Sequence, residues 1–398
     1  GTQVERELHA LLDRRGVIGG TSAGAAIMSR VMIRRGAADA EIGTGFGFLT
    51  NAVLDQHFIA RNRQPRLQGL LEKHPGLYGL GIDEDTALIV AGRNMMVLGG
   101  STVSRVFSKS ENRPARTDSL PRNEVLDLVA DSRAALARAQ AAFPPRSPTS
   151  AEVSGKGTLI IDGGGCPTSV IKRFVDAAGG PDALIVIIPT ALDENLPPRL
   201  FDTELLERGG AKNLRVLHAR NRTEASDAVF LKSLNEARGL WFTGGRQWRL
   251  VDAYSGTPAE KVMHDILERG GAIGGSSAGA TIQGDYLVRG NPLGNREMMS
   301  EGYERGLGFL KGVAIDQHFI KRDRFADMTA LKKTFPQLLG LGIDEGSAVL
   351  VRGQTLEVIG QTNTCIYDRT DPPAAGEPDY VSLKPGEFYD LKSRKKKQ

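Results

Sequence analysis

Short apolar runs alternate with helical stretches in the second half of the chain, and this alternation predicts its main elements. Four runs rich in β-branched residues end in glycine or a turn residue: TLIIDGGG from Thr158, ALIVIIPT from Ala183, LRVLHAR from Leu214 and GLWFTGG from Gly239. The first two are separated by the helical stretch PTSVIKRFVDAAGG. Buried strands that alternate with helices are typical of βαβ units. The pattern therefore predicts an α/β fold with a mostly parallel sheet flanked by helices.

The chain also contains an internal repeat, which is the decisive feature of its organisation. GTQVERELHALLDRRGVIGGTSAGA from Gly1 parallels GTPAEKVMHDILERGGAIGGSSAGA from Gly256, at an offset of 255 residues. The segments GFLTNAVLDQHFIARNR and LYGLGIDEDTALIV recur in the second copy at an offset of 261 residues. Six extra residues within RGNPLGNREMMSEGYERG account for the change of offset. We interpret the repeat as a duplication of a large domain.

The two copies are unequal, and this divides the chain into three predicted regions. The four apolar runs precede the repeated segments in the second copy only. Residues 1–110 are therefore predicted to be the C-terminal half of a domain, and residues 156–392 a complete one. Between them, residues 111–155 carry Pro, Ser and charge on both sides of one amphipathic stretch, about 123–142. This composition is typical of an interdomain linker with a helix.

Composition narrows the classes of function. The chain has 398 residues, 40% of them hydrophobic, which suffices for two or three globular domains. Part of the net charge of +4 comes from the terminal run KSRKKKQ, interpreted as a solvated tail, and no basic stripe with interleaved aromatic residues indicates nucleic-acid binding. No 18-residue apolar run predicts a membrane span. Cys166 and Cys365 lie far apart and have no His or Cys companions at metal spacing, so neither a disulfide framework nor a zinc site is indicated. We expect no metal and no cofactor.

The absence of a predicted membrane span bears on the cellular compartment. We expect a cytoplasmic protein. The chain begins at Gly1, in the middle of the repeat pattern, so a secreted form with a removed signal peptide stays open as the alternative.

A candidate nucleophile lies in GAIGGSSAGATIQG. A G-x-S-x-G frame places Ser277 between Gly275 and Gly279, directly after an apolar pair. Such a tight strand-to-helix turn is typical of a nucleophile elbow, in which small neighbours let one hydroxyl stand above the sheet. The first copy places Ser22 in the same frame. Turns rich in Gly, Ser and Ala also serve as plain connectors or anion sites, so the motif alone leaves both interpretations open.

A serine nucleophile needs a base to accept its proton. His318 and its counterpart His57 both stand in a DQHFI motif directly after an apolar run. His9 and His264 also recur, but in a charged helix pattern that favours a solvated or helix-end role. His318 and His57 are therefore the candidate bases.

The third group is an acid that orients the base. The recurring GIDE motif places Asp344 and Glu345 at 26 and 27 residues after His318, where strand-end loops of α/β sheets carry chemistry. A strand cap or a surface pair is the alternative interpretation of such residues. The order Ser, His, acid differs from the Ser, acid, His order of α/β-hydrolases, which argues against an ordinary esterase.

Together, GGSSAGA, DQHFIKRDR, GIDE, FTGGRQ and DGGG resemble the cyanophycinases of serine peptidase family S51, which also includes the aspartyl dipeptidases. The resemblance extends over about residues 156–369, and over residues 1–107 as a partial second copy. It implies a class I glutamine amidotransferase-like or flavodoxin-like sheet with a partial duplicate at the N-terminus. It also implies a serine-type exopeptidase. The family's polymer, cyanophycin, has a polyaspartate backbone with arginine on each side-chain carboxyl, and its products are β-aspartyl-arginine dipeptides.

The resemblance assigns roles to the motif residues. It implies Ser277 as nucleophile, His318 as base and Glu345 as acid, with Ser22, His57 and Glu84 as the partial-copy equivalents. The oxyanion hole would use the amide of Ala278 and a second amide from Gly164 or Gly165 of the DGGG loop.

The resemblance also implies a set of substrate-binding residues. These are Gln247, Asp316, Gln317, Arg322 and Arg324. The guanidinium forks of Arg322 and Arg324 suit bidentate binding of carboxylates. The first copy keeps the fuller arginine pattern, with Arg61, Arg63 and Arg66, whereas the second has Asp327 at the third place. That departure weakens the expectation for cyanophycin itself, because a carboxylate contact would be replaced by a like charge.

Two alternatives stay open beside hydrolysis of cyanophycin or related aspartyl peptides. One is an aspartyl dipeptidase-like exopeptidase on short peptides, and the other is a non-catalytic module that binds acidic peptides. The three triad residue types recur in both copies, which disfavours the binding module. We expect a peptide substrate as partner, no nucleic acid or membrane, and either a homodimer or an internal pseudo-dimer of the two copies.

Overall fold

The computed structural model describes residues 1–37, 39–111, 113–153, 155–165, 167–193, 195–368 and 376–397. Cys166 lies outside the described residues, and Cys365 is buried. The chain divides into two compact units, Gly1–Ala142 and Phe143–Gln398. Of the helices in the described ranges, none has the length and apolar character needed to cross a membrane.

The first unit combines helices with three small sheets. Its elements are α1 (Gln3–Asp13), α2 (Ala23–Ala26), β1 (Val31–Arg35), β2 (Glu41–Thr44), β3 (Ala52–Gln56), α3 (Gln64–Lys73), β4 (Tyr78–Ile82), β5 (Thr86–Ala91), β6 (Asn94–Gly99), β7 (Val103–Phe107), β8 (Arg116–Leu120), β9 (Val125–Asp127) and α4 (Leu128–Arg138). The sheets have the strand orders β1-β2, β3-β4-β7-β8 and β5-β6-β9. β3 and β4 run parallel, and the other strand pairs are antiparallel.

The segment predicted to be a linker contributes structure to the first unit. β8 pairs with β7 over five residue pairs, and β9 pairs with β6. Helix α4 buries Ala134 and Ala135 in the same cluster as strand residues of this unit. The amphipathic pattern located the helix, but β8 and β9 are too short and too polar to stand out in the sequence. The structural boundary lies after Ala142, inside the predicted linker.

The second unit contains the remaining elements. These are β10 (Thr158–Asp162), α5 (Thr168–Ala177), β11 (Ile185–Ile188), α6 (Phe201–Arg208), β12 (Leu214–Val216), a 3₁₀ turn (Glu224–Ser226), α7 (Ala228–Asn235), β13 (Gly239–Phe242), α8 (Gln247–Tyr254), α9 (Pro258–Glu268), β14 (Ala272–Ser276), α10 (Ala278–Thr281), β15 (Gly284–Tyr286), β16 (Leu310–Gln317), α11 (Phe325–Thr334), β17 (Leu339–Ile343), β18 (Ser347–Arg352), β19 (Thr355–Gly360), β20 (Thr364–Tyr367), β21 (Val381–Leu383), β22 (Phe388–Asp390) and β23 (Lys395–Lys396). The terminal basic run thus contributes an edge strand, β23, as well as exposed side chains.

A nine-stranded sheet forms the centre of the second unit, in the order β12-β11-β13-β14-β10-β18-β19-β22-β23. The first five strands are parallel, and the pairs that follow are antiparallel. The four apolar runs are confirmed as strands β10 to β13, and the predicted helical stretch between the first two is confirmed as α5. The α/β class is therefore confirmed, with an antiparallel extension that the sequence pattern did not indicate.

Strand β10 lies in the middle of this sheet. All five of its residues are buried, and it pairs with β14 on one side and β18 on the other. In the first unit, residues 17–21 correspond to β14 but form no strand, and β5, the counterpart of β18, pairs only with β6 among the described strands. Val17 is accordingly 89% exposed, whereas its counterpart Ala272 is fully buried.

A second sheet places the histidine and the acidic pair side by side. Its strand order is β15-β16-β17-β20-β21, and β16 runs parallel to β17. Gln317, the last residue of β16, is in register with Ile343, the last residue of β17. Because parallel strands end at the same edge, the residues that follow them, His318 and Asp344, emerge together.

Candidate active site

Ser277 lies on a sharp turn between β14 and helix α10. Its φ of 55° is positive, which is uncommon for a residue other than glycine. Close packing explains the glycines of the frame: a Cβ on Gly279 would lie 2.2 Å from the carbonyl oxygen of Phe242, and one on Gly275 would lie 2.5 Å from that of Gly279. The turn is thus the strained strand-to-helix connection that the G-x-S-x-G frame predicted, and it presents Ser277 rather than Ser276.

Ser277, His318 and Glu345 form a continuous hydrogen-bonded chain. The Ser277 Oγ lies 2.9 Å from Nε2 of His318, and Nδ1 of His318 lies 2.8 Å from Oε1 of Glu345. An ionised carboxylate only accepts hydrogen bonds, so Nδ1 carries the proton and Nε2 is free to accept from the serine hydroxyl. This arrangement can remove a proton from Ser277.

Backbone contacts fix the imidazole beside the serine. The His318 amide donates to the carbonyl of Gly163 at 3.0 Å, and the Gly346 amide donates to the carbonyl of Gly164 at 2.8 Å. A Cβ on Gly164 would lie 2.4 Å from Cε1 of His318. The glycines after β10 therefore allow the ring to approach this closely.

The structure also shows which member of the acidic pair contacts the base. Asp344 is 9% exposed, and its carboxylate accepts from the amide of Lys321 at 3.0 Å, so it holds the turn after His318. Glu345 reaches the imidazole instead. The first unit repeats the division, because Asp83 accepts from backbone amides whereas Glu84 contacts the histidine.

The surroundings of the base favour its neutral form. Burial lowers the pKa of His318 below its ordinary value of 6.5, and the charge of Arg322 lowers it further, against the opposing effect of Glu345. A hydrogen bond from the Lys321 ammonium lowers the pKa of Glu345. Sequence reasoning missed Lys321; its counterpart is Ala60, so the repeat gave no signal for it.

One of the three predicted oxyanion donors is already engaged. The amide of Gly164 donates to the Asp162 carboxylate at 2.8 Å, so Gly164 is not a free donor and that part of the prediction is wrong. Ala278 is the first residue of α10, where a helix has no internal acceptor for the amide. Gly165 has a φ of 60°, and its amide donates to no described residue. Ala278 and Gly165 thus remain the candidate pair.

The predicted arginines differ in their availability. Arg322 is exposed, and its side chain makes no hydrogen bond or ion pair within the described ranges. Arg324 is buried, and its Nη1 donates to Asp316 and to the carbonyl of Gln317, both at 2.7 Å. Arg324 and Asp316 are thus enclosed ion-pair partners, which the sequence spacing could not reveal. Their contact with substrate stays a prediction.

Both predicted glutamines lie beside the triad. Gln247 begins α8 and is 2% exposed, three residues after Gly244, where a Cβ would lie 3.4 Å from the Cβ of Ser277. Gln317 is 4% exposed and directly precedes His318, and its Oε1 has no partner among the described residues. Because this oxygen is itself buried, the contact of Gln317 with substrate stays a prediction.

The first unit contains the same triad in a more open setting. Ser22 Oγ lies 3.0 Å from Nε2 of His57, and Nδ1 of His57 lies 2.9 Å from Oε1 of Glu84. The Glu84 side chain is 56% exposed, against 29% for Glu345. The described part of this unit has no counterpart of β10 or of the glycines that follow it.

No metal site is formed by the described residues, in that no group of three or more His, Cys, Asp or Glu side chains is arranged to hold an ion. The functional groups at the site are the Ser277 hydroxyl, the His318 imidazole, the Glu345 carboxylate, the exposed guanidinium of Arg322 and backbone amides.

The sequence is similar to known peptidases. The family model described as peptidase family S51 matches residues 1–98 and 159–359. A cyanophycinase from Geminocystis herdmanii is 34% identical over 206 residues, covering 50% of this chain and 74% of the relative. A cyanophycinase from Trichormus variabilis is 31% identical over 232 residues, covering 56% of this chain and 76% of the relative.

Two solved structures are similar as well. A peptidase from an acI-B1 Actinobacterium is 21% identical with a TM-score of 0.47, covering 61% of this chain and 98% of that one. A putative peptidase E protein from Listeria monocytogenes EGD-e is 16% identical with a TM-score of 0.40, covering 52% and 100%. The match of the family model over most of the sequence, in two segments, shows that the chain belongs to peptidase family S51.

Proposed function

We propose that the second unit is a serine-type exopeptidase that hydrolyses the β-aspartyl-arginine polymer cyanophycin or closely related aspartyl peptides. The observation that carries the proposal is the chain of two hydrogen bonds from Ser277 through His318 to Glu345. Serine nucleophiles on unrelated folds share this geometry, which is recognised by the roles of the residues rather than by their order in the sequence.

The geometry supports acyl transfer in two steps. Ser277 Oγ attacks the scissile carbonyl while its proton passes to Nε2 of His318, and the imidazolium then protonates the leaving amine. Glu345 holds the Nδ1 proton and stabilises the imidazolium. The amides of Ala278 and Gly165 would bind the oxyanion of the tetrahedral intermediate. Water, deprotonated by His318, then releases the acyl group and restores the serine.

The charges beside the triad support an acidic substrate. The exposed guanidinium of Arg322 is free to bind the carboxylate of an aspartyl residue. The two named relatives are both cyanophycinases, which favours cyanophycin over unrelated acidic peptides.

One experiment separates the three functions that the sequence left open. The full chain is incubated with cyanophycin, with β-Asp-Arg and with α-linked Asp-X dipeptides, and the products are identified by mass spectrometry. Release of β-Asp-Arg from the polymer supports the proposal. Cleavage of dipeptides alone would indicate a dipeptidase, and retention of substrate without products would indicate a binding module.

A matched pair of serine variants provides the control. Ser277→Ala removes the nucleophile, whereas Ser276→Ala changes the neighbouring serine, which lies in β14. Only Ser277→Ala should abolish product release. Equal loss in both variants would indicate that the turn, rather than the Ser277 hydroxyl, is required.

A further inference from the structure

The third arginine of the motif has a clear role in the first unit. Arg66 is 4% exposed, and its guanidinium contacts both carboxylate oxygens of the fully buried Asp55. Its Nη1 donates to the carbonyl of Gly36 at 2.6 Å. Asp55 directly precedes Gln56 and His57. Arg66 therefore holds the end of the strand that delivers the histidine, and most of its donors are occupied inside the protein.

A different residue supplies this guanidinium in the second unit. The counterpart of Arg66 is Asp327, and Arg289 from the segment after β15 binds the Asp316 carboxylate in its place, with Nε 3.0 Å and Nη2 2.8 Å from its oxygens. Nη2 of Arg289 also donates to Asp327 at 2.7 Å. Arg289 is 3% exposed. In the second unit the guanidinium that binds the aspartate therefore comes from the segment after β15, and helix α11 carries a negative charge that pairs with it.

Arg289 also holds the segment that contains the six extra residues of the second copy. Its Nη1 donates to the carbonyls of Asn295 and Arg296, each at 3.2 Å. All five N–H groups of Arg289 therefore have acceptors within the protein. No donor is left for a substrate, so Arg289 can act only by positioning other groups.

A second arginine, Arg246, also binds the segment that contains the six extra residues. Arg246 Nη2 donates to the carbonyls of Asn291 and Pro292, at 2.8 and 3.2 Å. Arg246 directly precedes Gln247, two residues after Gly244, which lies against Ser277. Residues 290–299 are thus tied both to the end of β16 and to the segment that borders the nucleophile. We refer to these residues as the inserted loop.

We propose that Arg289 is a positioning residue of this site and that, together with Asp327, it replaces the third arginine of the motif. Arg289 fixes Asp316, and with it the strand end that carries Gln317 and His318, and it fixes the inserted loop as a wall of the same site. Asp327 is a compensated part of this exchange and not an unpaired carboxylate facing an acidic substrate. Its presence therefore does not argue against cyanophycin. The catalytic consequence rests on the proposed function of Ser277.

An exchange of the two charges tests the proposal. The variants are Arg289→Met, Asp327→Arg and the double variant, with Arg215→Met, which removes a surface ion pair with Glu236, as the control. The readout is the rate of covalent labelling of Ser277 by a fluorophosphonate. We expect each single variant to label at least tenfold more slowly, and the double variant to return to within about threefold of the unaltered chain. Labelling of Arg289→Met at the unaltered rate, or no recovery in the double variant, would overturn the proposal.

A second readout does not depend on the nucleophile. Arg296 is exposed within the inserted loop, so trypsin can cleave there once the loop is released. Cleavage after Arg296 should be at least tenfold faster in Arg289→Met than in Arg215→Met, and equal rates would count against the proposal. If the unaltered chain is not labelled while trypsin gives the expected result, the proposed function fails and the role of Arg289 stands. Should Arg289→Met not fold, Arg289→Lys replaces it in both assays with the same expectations.

Discussion

The ionisation of His318 is set by its immediate neighbours. Burial and then the charge of Arg322 lower its pKa below 6.5, whereas Glu345 acts in the opposite direction. A base with a lowered pKa is neutral, and so able to accept the serine proton, down to a lower pH. The rate of Ser277 labelling should therefore rise with pH through a midpoint below 6.5.

Arg322 provides the test of this cause. Replacing it with Gln removes a nearby cation, so the pKa of His318 should rise and the midpoint of the labelling profile should move to higher pH. Fluorophosphonate labelling is preferable to peptide hydrolysis here, because it does not involve substrate carboxylates. The control is Arg215→Gln, which removes a cation that is paired with Glu236 at the surface. An unchanged midpoint in Arg322→Gln would show that its charge does not act on the base.

Substitutions of Glu345 and of Asp344 should have different effects on turnover and on stability. Glu345→Gln leaves a side chain of the same shape but removes the charge that orients His318, so turnover should fall by about 10²- to 10⁴-fold with the melting temperature little changed. Asp344→Asn weakens the bond to the Lys321 amide and should lower the melting temperature more than it lowers turnover. Turnover and thermal unfolding of both variants decide between them. The opposite pattern would make Asp344 the functional acid.

At the scale of single residues, the sequence predicts those candidate site residues that can be recognised by their type and by their recurrence in both copies. Ser277 and His318 became candidates because the same residue types stand at matching places in both copies. Recurrence left Asp344 and Glu345 equally open, and only the family resemblance implied Glu345. The partners of Arg324, Asp316 and Gly164 were not predicted, because only the fold brings each of them near its partner. A guanidinium in a motif looks the same whether it faces solvent or a buried carboxylate.

At the scale of elements, the connection from β14 to α10 is tightly constrained. A methyl group on Gly279 would lie 2.2 Å from the Phe242 carbonyl, a backbone atom that cannot turn aside. Gly279→Ala should therefore lower the free energy of unfolding by about 1–3 kcal/mol, the usual cost of overpacking, and should displace Ser277. Denaturant unfolding measures the first effect and Ser277 labelling the second.

A matched glycine shows whether this effect is local. A Cβ on Gly294 would have no heavy atom within 4 Å, and its φ is not positive. Gly294→Ala should leave the free energy of unfolding within about 0.5 kcal/mol of the unaltered chain, as is usual for surface substitutions. Equal destabilisation by the two substitutions would mean that packing around Gly279 is not what shapes the turn.

Some strands could be predicted from the pattern of apolar residues, and others could not. β10 to β13 were predictable because buried parallel strands read as continuous apolar runs. β8, β9 and β15 were not, since strands of three to five residues with mixed polarity owe their conformation to the neighbouring strand. The inserted loop could be located in the sequence by the change of offset. Its hydrogen bonds to Arg289 and Arg246 could not be predicted, because backbone carbonyl groups accept them and every residue type has a carbonyl.

At the scale of the whole molecule, the described residues contain two Ser-His-Glu triads, and of these the Ser277 triad alone has β10 and its glycine loop beside it. Ser22, His57 and Glu84 have the same distances as their counterparts, within about 0.1 Å. What the described part of the first unit lacks is β10 and the glycine loop that would provide a second oxyanion donor. Loss of one such donor costs roughly 10²- to 10³-fold in turnover.

This difference predicts a single working centre, at Ser277. Ser277→Ala should reduce hydrolysis by about 10⁵-fold or more, whereas Ser22→Ala should leave it within twofold of the unaltered chain. A fluorophosphonate should modify each chain once, and peptide mapping should place the adduct on Ser277. Comparable labelling of Ser22 would contradict the prediction. Because the hydrogen bond between Ser22 and His57 is already formed, such labelling would mean that a strand and loop like β10 from another chain supply the oxyanion donor to the first unit.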